Sequence, residues 1–138
     1  MNIDLTGTVV LVTGSSRGIG KAIARGMGES GATVAIHYRT NEEKANELAV
    51  ELGGGSAAFC ADLEDPLNAE GLFAGVVEKF GKVDVLVNNA GIFDNSPVGG
   101  PFKKWHEAWE KTIAVILISA GMLCHEAIKH FKETGGGR

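Results

Sequence analysis

The chain has 138 residues, of which 44% are apolar and 22% are charged, and its formal net charge is −4 at pH 7. This length and apolar content allow one folded domain with its own core and exclude an intrinsically disordered chain. Thirteen basic residues against 17 acidic ones, without a basic block, predict that the protein binds neither nucleic acid nor an anionic membrane surface.

Strand-like and helix-like patterns alternate along the chain. Continuous β-branched or apolar runs, which are typical of parallel strands covered on both faces, occur at residues 8–13, 33–38, 57–60 and 83–87. Helical periodicity predicts helices over residues 18–30, 41–52, 66–80 and 103–132. Such alternation with short connections predicts an α/β fold, a doubly wound parallel sheet of the Rossmann-like kind, in a single domain.

An uncharged apolar stretch spans residues 113–124. Because it is shorter than the roughly 20 residues that cross a bilayer, we expect a buried helix and no membrane partner. We also expect Cys60 and Cys124 to be small core residues rather than reactive thiols. Trp105 and Trp109 are four residues apart and should pack together on the helix. The histidines of this region do not share a helix face with further ligands, so we expect no metal site.

A glycine-rich segment, residues 13–20, follows the first predicted strand with the sequence Thr-Gly-Ser-Ser-Arg-Gly-Ile-Gly. Its glycines permit a tight turn and a close approach of the backbone to phosphate, and the helix that follows offers unpaired N–H groups and a positive dipole end. The spacing is GxxxGxG rather than the GxGxxG dinucleotide fingerprint. A plain strand–helix turn is the alternative, but the position after the first strand of an alternating chain favours phosphate binding.

The chain resembles the short-chain dehydrogenases/reductases, and within them the 3-oxoacyl-carrier-protein reductase type. Four features match in order, namely the loop at 13–20, Asp62-Leu63 after the third strand, the block Asn-Asn-Ala-Gly at 88–91 after the fourth, and Trp109 in the last helix. The resemblance implies a strand order of 3-2-1-4 that lacks the family's later strands. Residues 1–138 would then be the N-terminal dinucleotide-binding portion of a single Rossmann-type domain.

The resemblance also implies which residues contact the cofactor. The glycine loop would surround the pyrophosphate and the adenosine ribose, the aspartate–leucine pair would meet the adenine, and the 88–91 segment would run beside the two riboses. The implied cofactor-binding residues are Gly14, Ser16, Arg17, Gly18, Ile19, Gly20, Asp62, Leu63, Asn88, Ala90 and Gly91. For the two asparagines a capped turn at a strand end is the alternative, and members of the family use them for that as well.

The end of the second predicted strand indicates which dinucleotide is bound. An acidic residue at this position usually accepts a hydrogen bond from the ribose 2′-OH and selects NAD. Residues 37–41 contain no acid, whereas Arg39 follows the strand and Arg17 lies in the glycine loop. Two guanidinium groups that converge there suit a 2′-phosphate, so we expect both to bind the cofactor and the cofactor to be NADP rather than NAD. The alternative is that both arginines are merely solvated.

The catalytic serine and the Tyr-x-x-x-Lys pair of the family have no counterpart in this chain. Its one tyrosine is Tyr38, which falls at the adenosine end. Ile116 stands where the resemblance places an asparagine that supports the proton relay. Because proton transfer needs a positioned acid, we expect no catalytic residue among these 138 residues and no turnover by them alone.

Two functions from different classes fit this pattern. The first is an NADP(H)-dependent oxidoreductase acting on a carbonyl or secondary alcohol, represented here by its cofactor-binding half. The second is a non-catalytic dinucleotide-binding or interaction module, suggested by Ile116 and the missing tyrosine. The resemblance further implies a homo-oligomer formed through the helix at 103–132 and a small-molecule substrate once the other half is supplied. The N-terminus has no secretion signal, so we expect a cytoplasmic protein.

Overall fold

Strands and helices alternate through residues 3–138, which the computed structural model describes. The elements are β1 (Val9–Val12), α1 (Gly18–Glu29), β2 (Thr33–Tyr38), α2 (Glu42–Leu52), β3 (Ala57–Cys60), α3 (Asn68–Phe80), β4 (Val85–Val87), α4 (Phe102–Ile113) and α5 (Ala120–Thr134). A π-helical stretch, Ala114–Ser119, joins α4 to α5 without a break. The predicted boundaries agree with these to within about two residues.

The sheet has four parallel strands in the order β3-β2-β1-β4, which confirms the predicted order and fold class. In β1, Val9 lies opposite Thr33 of β2, and Val10 lies opposite Val85 of β4. Since all strands run in the same direction, their carboxyl ends meet at one edge of the sheet. Ligands of open α/β sheets bind outside this edge, where the strand order reverses between β1 and β4.

The sheet has a separate apolar core on each face, because successive side chains of a strand point to opposite sides. Val10 and Val12 of β1 pack with α1 and α2, whereas Leu11 packs with α3 and α5. These three side chains are fully buried. Burial on both faces explains why β1 is a continuous apolar run rather than an alternating one.

β4 lies at the edge of the sheet, and all its residues are only half buried. On its outer side the Arg138 N–H donates to the Asp84 carbonyl at 3.0 Å, and the Arg138 carbonyl accepts from the Leu86 N–H at 2.8 Å. A residue bonded in this way to the two neighbours of its partner follows the pattern of a parallel ladder. The edge of β4 is therefore already paired at one residue.

The stretch 113–124 is not the buried helix that its composition predicts. Only the residues at four-residue spacing, Val115, Ser119 and Leu123, are buried against the rest of the fold, whereas Leu117 and Met122 on the outer face are exposed. The uncharged composition therefore reflects two apolar faces, of which this chain covers one. By length and composition alone the whole helix 102–134 could cross a membrane, a property that it shares with core helices of soluble proteins.

Both cysteines are exposed, so their expected place in the core is wrong. Cys60 is the last residue of β3 and its thiol points to the Arg39 carbonyl at 3.5 Å. Cys124 lies on the outer face of α5. The expected contact between Trp105 and Trp109 is confirmed, with ring centroids 5.4 Å apart.

Candidate functional site

A cavity of about 340 Å³ lies at the carboxyl edge of the sheet, where the loops after all four strands meet. It brings together every predicted contact residue except one, namely Gly14, Ser16, Arg17, Gly18, Ile19, Gly20, Arg39, Asp62, Leu63, Ala90 and Gly91. Lining residues that the sequence did not single out are His37, Tyr38, Thr40, Asn41, Ala61, Glu64, Asn89, Ile92 and Val115.

Asn88 is the exception. Its side-chain amide donates to the Ala120 carbonyl at 3.4 Å and lies 3.3 Å from the Cys124 sulfur. It therefore links the end of β4 to α5 and does not line the cavity. For Asn88 the structure favours the alternative of a residue that caps a strand end.

The glycine loop needs its glycines for two separate reasons. Gly14 and Gly18 have φ values of +64° and +58°, in the left-handed region where a side chain is strained. A Cβ on Gly14 would lie 2.9 Å from the Ala90 Cα, and a Cβ on Gly20 would overlap the Asn89 amide and the Gly14 carbonyl. At Gly18 no atom lies within 4 Å of the Cβ position, so the backbone at the start of α1 borders open space.

Thr13 and Asn89 hold the loop after β1 against the loop after β4. The Thr13 hydroxyl oxygen accepts from the Asn89 N–H at 3.0 Å and from the Ala90 N–H at 2.9 Å. The Asn89 side chain donates to the Thr13 carbonyl at 2.9 Å and to the Gly14 carbonyl at 3.2 Å. These contacts fix the two segments of backbone that flank the cavity. Asn89 is thus a supporting residue of the site.

His37 supports the glycine loop from the side of β2. This role is not visible in the sequence, because the residue lies within a mostly apolar strand. Its side chain is 3% exposed. Nδ1 accepts from the Gly14 N–H at 2.9 Å, and Nε2 lies 3.0 Å from the Ala61 carbonyl, to which it donates. Both contacts together require the neutral ring with its proton on Nε2.

Burial sets the charge state of this histidine. Desolvation of the imidazolium lowers the pKa of His37 below its ordinary value of 6.5, and the Ala61 carbonyl and the Asp62 charge oppose this only in part. The ring is therefore neutral at physiological pH, as its hydrogen bond to the glycine loop requires.

Arg17 and Arg39 line the same cavity, as the sequence predicts. Arg17 is exposed at the start of α1. Arg39 is not simply solvated, because its guanidinium forms an ion pair with Glu64 from the loop after β3. Nothing in the sequence near either residue signals this pair, since the two residues are 25 positions apart.

Part of the cavity lining is apolar. It includes Ile92 and Val115 besides Gly91. Ile116 is exposed in the π-helical stretch, and its Cγ2 is 3.7 Å from where a Gly91 Cβ would stand. A hydrocarbon side chain therefore occupies the position where the resemblance places an asparagine. The cavity can hold an extended ligand with an anionic part at the glycine loop and a less polar part near Ile92.

Known proteins match this chain over nearly its whole length. The family model described as short chain dehydrogenase matches residues 8–138. 3beta-hydroxysteroid dehydrogenase 1 of Eggerthella lenta is 42% identical over 133 residues, which are 94% of this chain and 50% of that protein. The chain spans about half the length of the curated relatives it matches.

Solved structures match in the same way. A short chain dehydrogenase from Burkholderia cenocepacia in complex with NADP superposes with a TM-score of 0.84 at 35% identity, over 91% of this chain and 51% of that one. The 3-ketoacyl-(acyl-carrier-protein) reductase from Brucella melitensis, complexed with NADH, gives 0.82 at 32% identity, over 96% and 53%. With the family model matched from β1 to the last residue, this chain belongs to the short-chain dehydrogenase family.

Proposed function

We propose that this chain is the N-terminal dinucleotide-binding portion, residues 1–138, of a single Rossmann-type domain in a short-chain oxidoreductase, and that it binds NADP(H) in preference to NAD(H). One observation carries the proposal. The glycine loop, the segment 62–63 and the segment 90–91 come from three different strand ends and meet at one cavity. Because these three segments lie far apart along the sequence, their meeting at one cavity supports a shared ligand site.

The residues present fit the adenosine diphosphate part of a dinucleotide. The open space at Gly18 and the N-terminus of α1 offer backbone N–H groups to a pyrophosphate. All four of Asp62, Leu63, Ala90 and Gly91 line the cavity, and by the family resemblance we propose that the first two meet the adenine and the last two run beside the riboses. A bound nicotinamide dinucleotide would exchange a hydride with the carbon of a carbonyl or secondary alcohol. The chain's own residues bind and orient it.

The preference for NADP(H) rests on the two arginines in the cavity. Arg17 and Arg39 supply guanidinium donors that match a phosphate, and the end of β2 carries no acid for a ribose 2′-OH. Among the structural relatives, the Burkholderia protein is bound to NADP and the Brucella protein to NADH. Family membership therefore leaves the choice of dinucleotide open, and the two arginines support NADP(H).

The substrate chemistry needs residues beyond those of this chain. A Tyr-x-x-x-Lys pair does not occur in the sequence, so we expect no carbonyl reduction by the 138 residues alone. For the whole protein we propose a small carbonyl or secondary alcohol as substrate. The exposed apolar face of the long helix favours a homo-oligomer, and two free, exposed thiols suit a reducing compartment such as the cytoplasm.

Calorimetric titration of the intact protein with NADPH and with NADH tests the proposal. We expect NADPH to bind at least about tenfold more tightly, the scale of one hydrogen bond to a charged group. Arg39→Asp should narrow or invert the difference. Arg25→Asp is the matched control, because Arg25 pairs with Glu51 outside the cavity. Equal affinities of the unaltered protein for NADPH and NADH would contradict the preference.

A further inference from the structure

The cavity contains an ion pair between two of its own lining residues. Arg39 Nη1 donates to a carboxylate oxygen of Glu64. The two side chains are 46% and 28% exposed, so the pair is open to solvent on one side and to the cavity on the other. Arg39 follows β2, at the position where the family pattern selects between a 2′-hydroxyl and a 2′-phosphate.

The peptide group that joins Leu63 to Glu64 is hydrogen-bonded at both of its polar atoms. The Glu64 N–H donates to the Asp62 carboxylate at 3.0 Å, which closes a tight turn. The preceding carbonyl, that of Leu63, accepts from the buried hydroxyl of Ser119 at 2.7 Å. These contacts fix the backbone from which the Glu64 side chain extends, and the ion pair with Arg39 places its carboxylate at the cavity.

A carboxylate in this position opposes a phosphate in two ways. It takes guanidinium donors that the phosphate would otherwise receive, and its negative charge repels the ligand. We propose that Glu64 is a specificity-determining residue that competes with the 2′-phosphate of NADP(H) for Arg39 and so reduces the preference for NADP(H) over NAD(H). This inference rests on the proposed function, in which Arg39 meets the 2′ position of the cofactor.

The test compares Glu64→Gln with the unaltered intact protein by calorimetric titration. Glutamine keeps the shape of the side chain and removes its charge. The Kd for NADPH should fall about two- to fivefold, the scale of an exposed ion pair, while the Kd for NADH stays within a factor of about two. The gain should shrink as salt rises from about 0.05 M to about 0.5 M, because screening weakens exposed charges.

Glu51→Gln is the matched control. It removes the same charge from the exposed pair that Glu51 forms with Arg25 at 2.5 Å, and neither residue lines the cavity. Both dinucleotides should bind this variant as they bind the unaltered protein. A gain for NADPH as large as that of Glu64→Gln would show a nonspecific effect of net charge and would overturn the inference.

Four other results would overturn it. Weaker NADH binding by Glu64→Gln would mean that Glu64 accepts from the 2′-hydroxyl, and weaker NADPH binding would mean that it orients Arg39. Unchanged affinities, with Arg39→Asp still weakening NADPH binding, would remove the competition and leave the proposed function intact. If Arg39→Asp also changes nothing, the arginine's contact with the cofactor fails and this inference fails with it.

Discussion

The two sides of the cavity differ in how far this chain completes them. On the glycine-loop side, every segment is held by side chains from a neighbouring strand end, with His37 on one flank and Thr13 with Asn89 on the other. On the side of the long helix, buried residues alternate with exposed apolar ones, and β4 is half buried. The glycine-loop side is thus held in place by contacts within this chain, whereas the helix side presents apolar surface outward.

This difference predicts that substitutions on the two sides of the cavity have different consequences. The tight glycines and the buried hydrogen bonds of the loop fix backbone positions, so small changes there should alter affinity. The exposed apolar residues of the long helix are not packed within this chain, so substitutions there should alter the association between chains instead. The same substitution should therefore have a large effect at a tightly packed residue and a small effect at a matched exposed residue.

The largest difference is expected between two leucines of the long helix. Leu123 is fully buried, whereas Leu117 is 65% exposed. Leu123→Ala should lower the free energy of unfolding by about 2–5 kcal/mol, because it leaves a cavity in the core, at any protein concentration. Leu117→Ala should change it by about 0.5 kcal/mol or less in dilute protein and should weaken self-association.

Chemical denaturation at several protein concentrations measures both effects. Equal losses for the two variants in dilute protein would mean that the outer face is packed within a single chain. The comparison between the two sides of the cavity would then fail.

Two glycines of α1 provide the next test. A Cβ on Gly20 overlaps the loop after β4, whereas nothing lies within 4 Å of a Cβ on Gly26. Gly20→Ala should destabilise the fold by about 1–3 kcal/mol and weaken NADPH binding, since the loop must move to admit the methyl group. Gly26→Ala should stabilise by up to about 1 kcal/mol, because alanine favours a helix interior.

Thermal unfolding and calorimetric titration of both variants are the measurements. A Gly20→Ala protein that binds NADPH as tightly as the Gly26→Ala protein would show that the loop is not held by close packing.

The smallest effect concerns pH. Burial lowers the pKa of His37 below the ordinary value of 6.5. As the pH falls to this ordinary value and below it, the histidine therefore becomes protonated in the unfolded chain before it does so in the folded chain. The contribution of His37 to stability is therefore complete above pH 6.5 and is lost as the pH falls toward the lowered value. The slope should be at most about 1.4 kcal/mol per pH unit.

Denaturation curves recorded between about pH 5 and pH 8 measure how the free energy of unfolding changes with pH. His37→Asn should remove part of the pH dependence, because asparagine does not titrate. An identical pH profile for the unaltered protein and for His37→Asn would mean that His37 is not held in its neutral form.

Much of this structure is predictable from the sequence because local signals and the fold agree. Runs of β-branched and apolar residues such as residues 8–13 predict strands, and the glycines at 13–20 predict the tight turn that borders the cavity. What the sequence does not reveal depends on contacts between distant residues. The support by His37 and the pair formed by Glu64 with Arg39 each join segments more than 20 positions apart.

The errors have the same origin. Composition shows that residues 113–124 are apolar but not which face of the helix the chain covers. Cys60 and Cys124 share the composition of their buried neighbours, yet each points away from the core.

Hydrogen–deuterium exchange of the intact protein, with and without saturating NADPH, tests whether the glycine-loop side of the cavity binds the dinucleotide. If this side of the cavity binds the dinucleotide, exchange should slow in the peptides that cover residues 13–20 and 88–92. Exchange in α5, from Ala120 to Thr134, should stay unchanged. Slower exchange along that helix, without slower exchange in the glycine loop, would mean that the dinucleotide does not bind at the glycine loop.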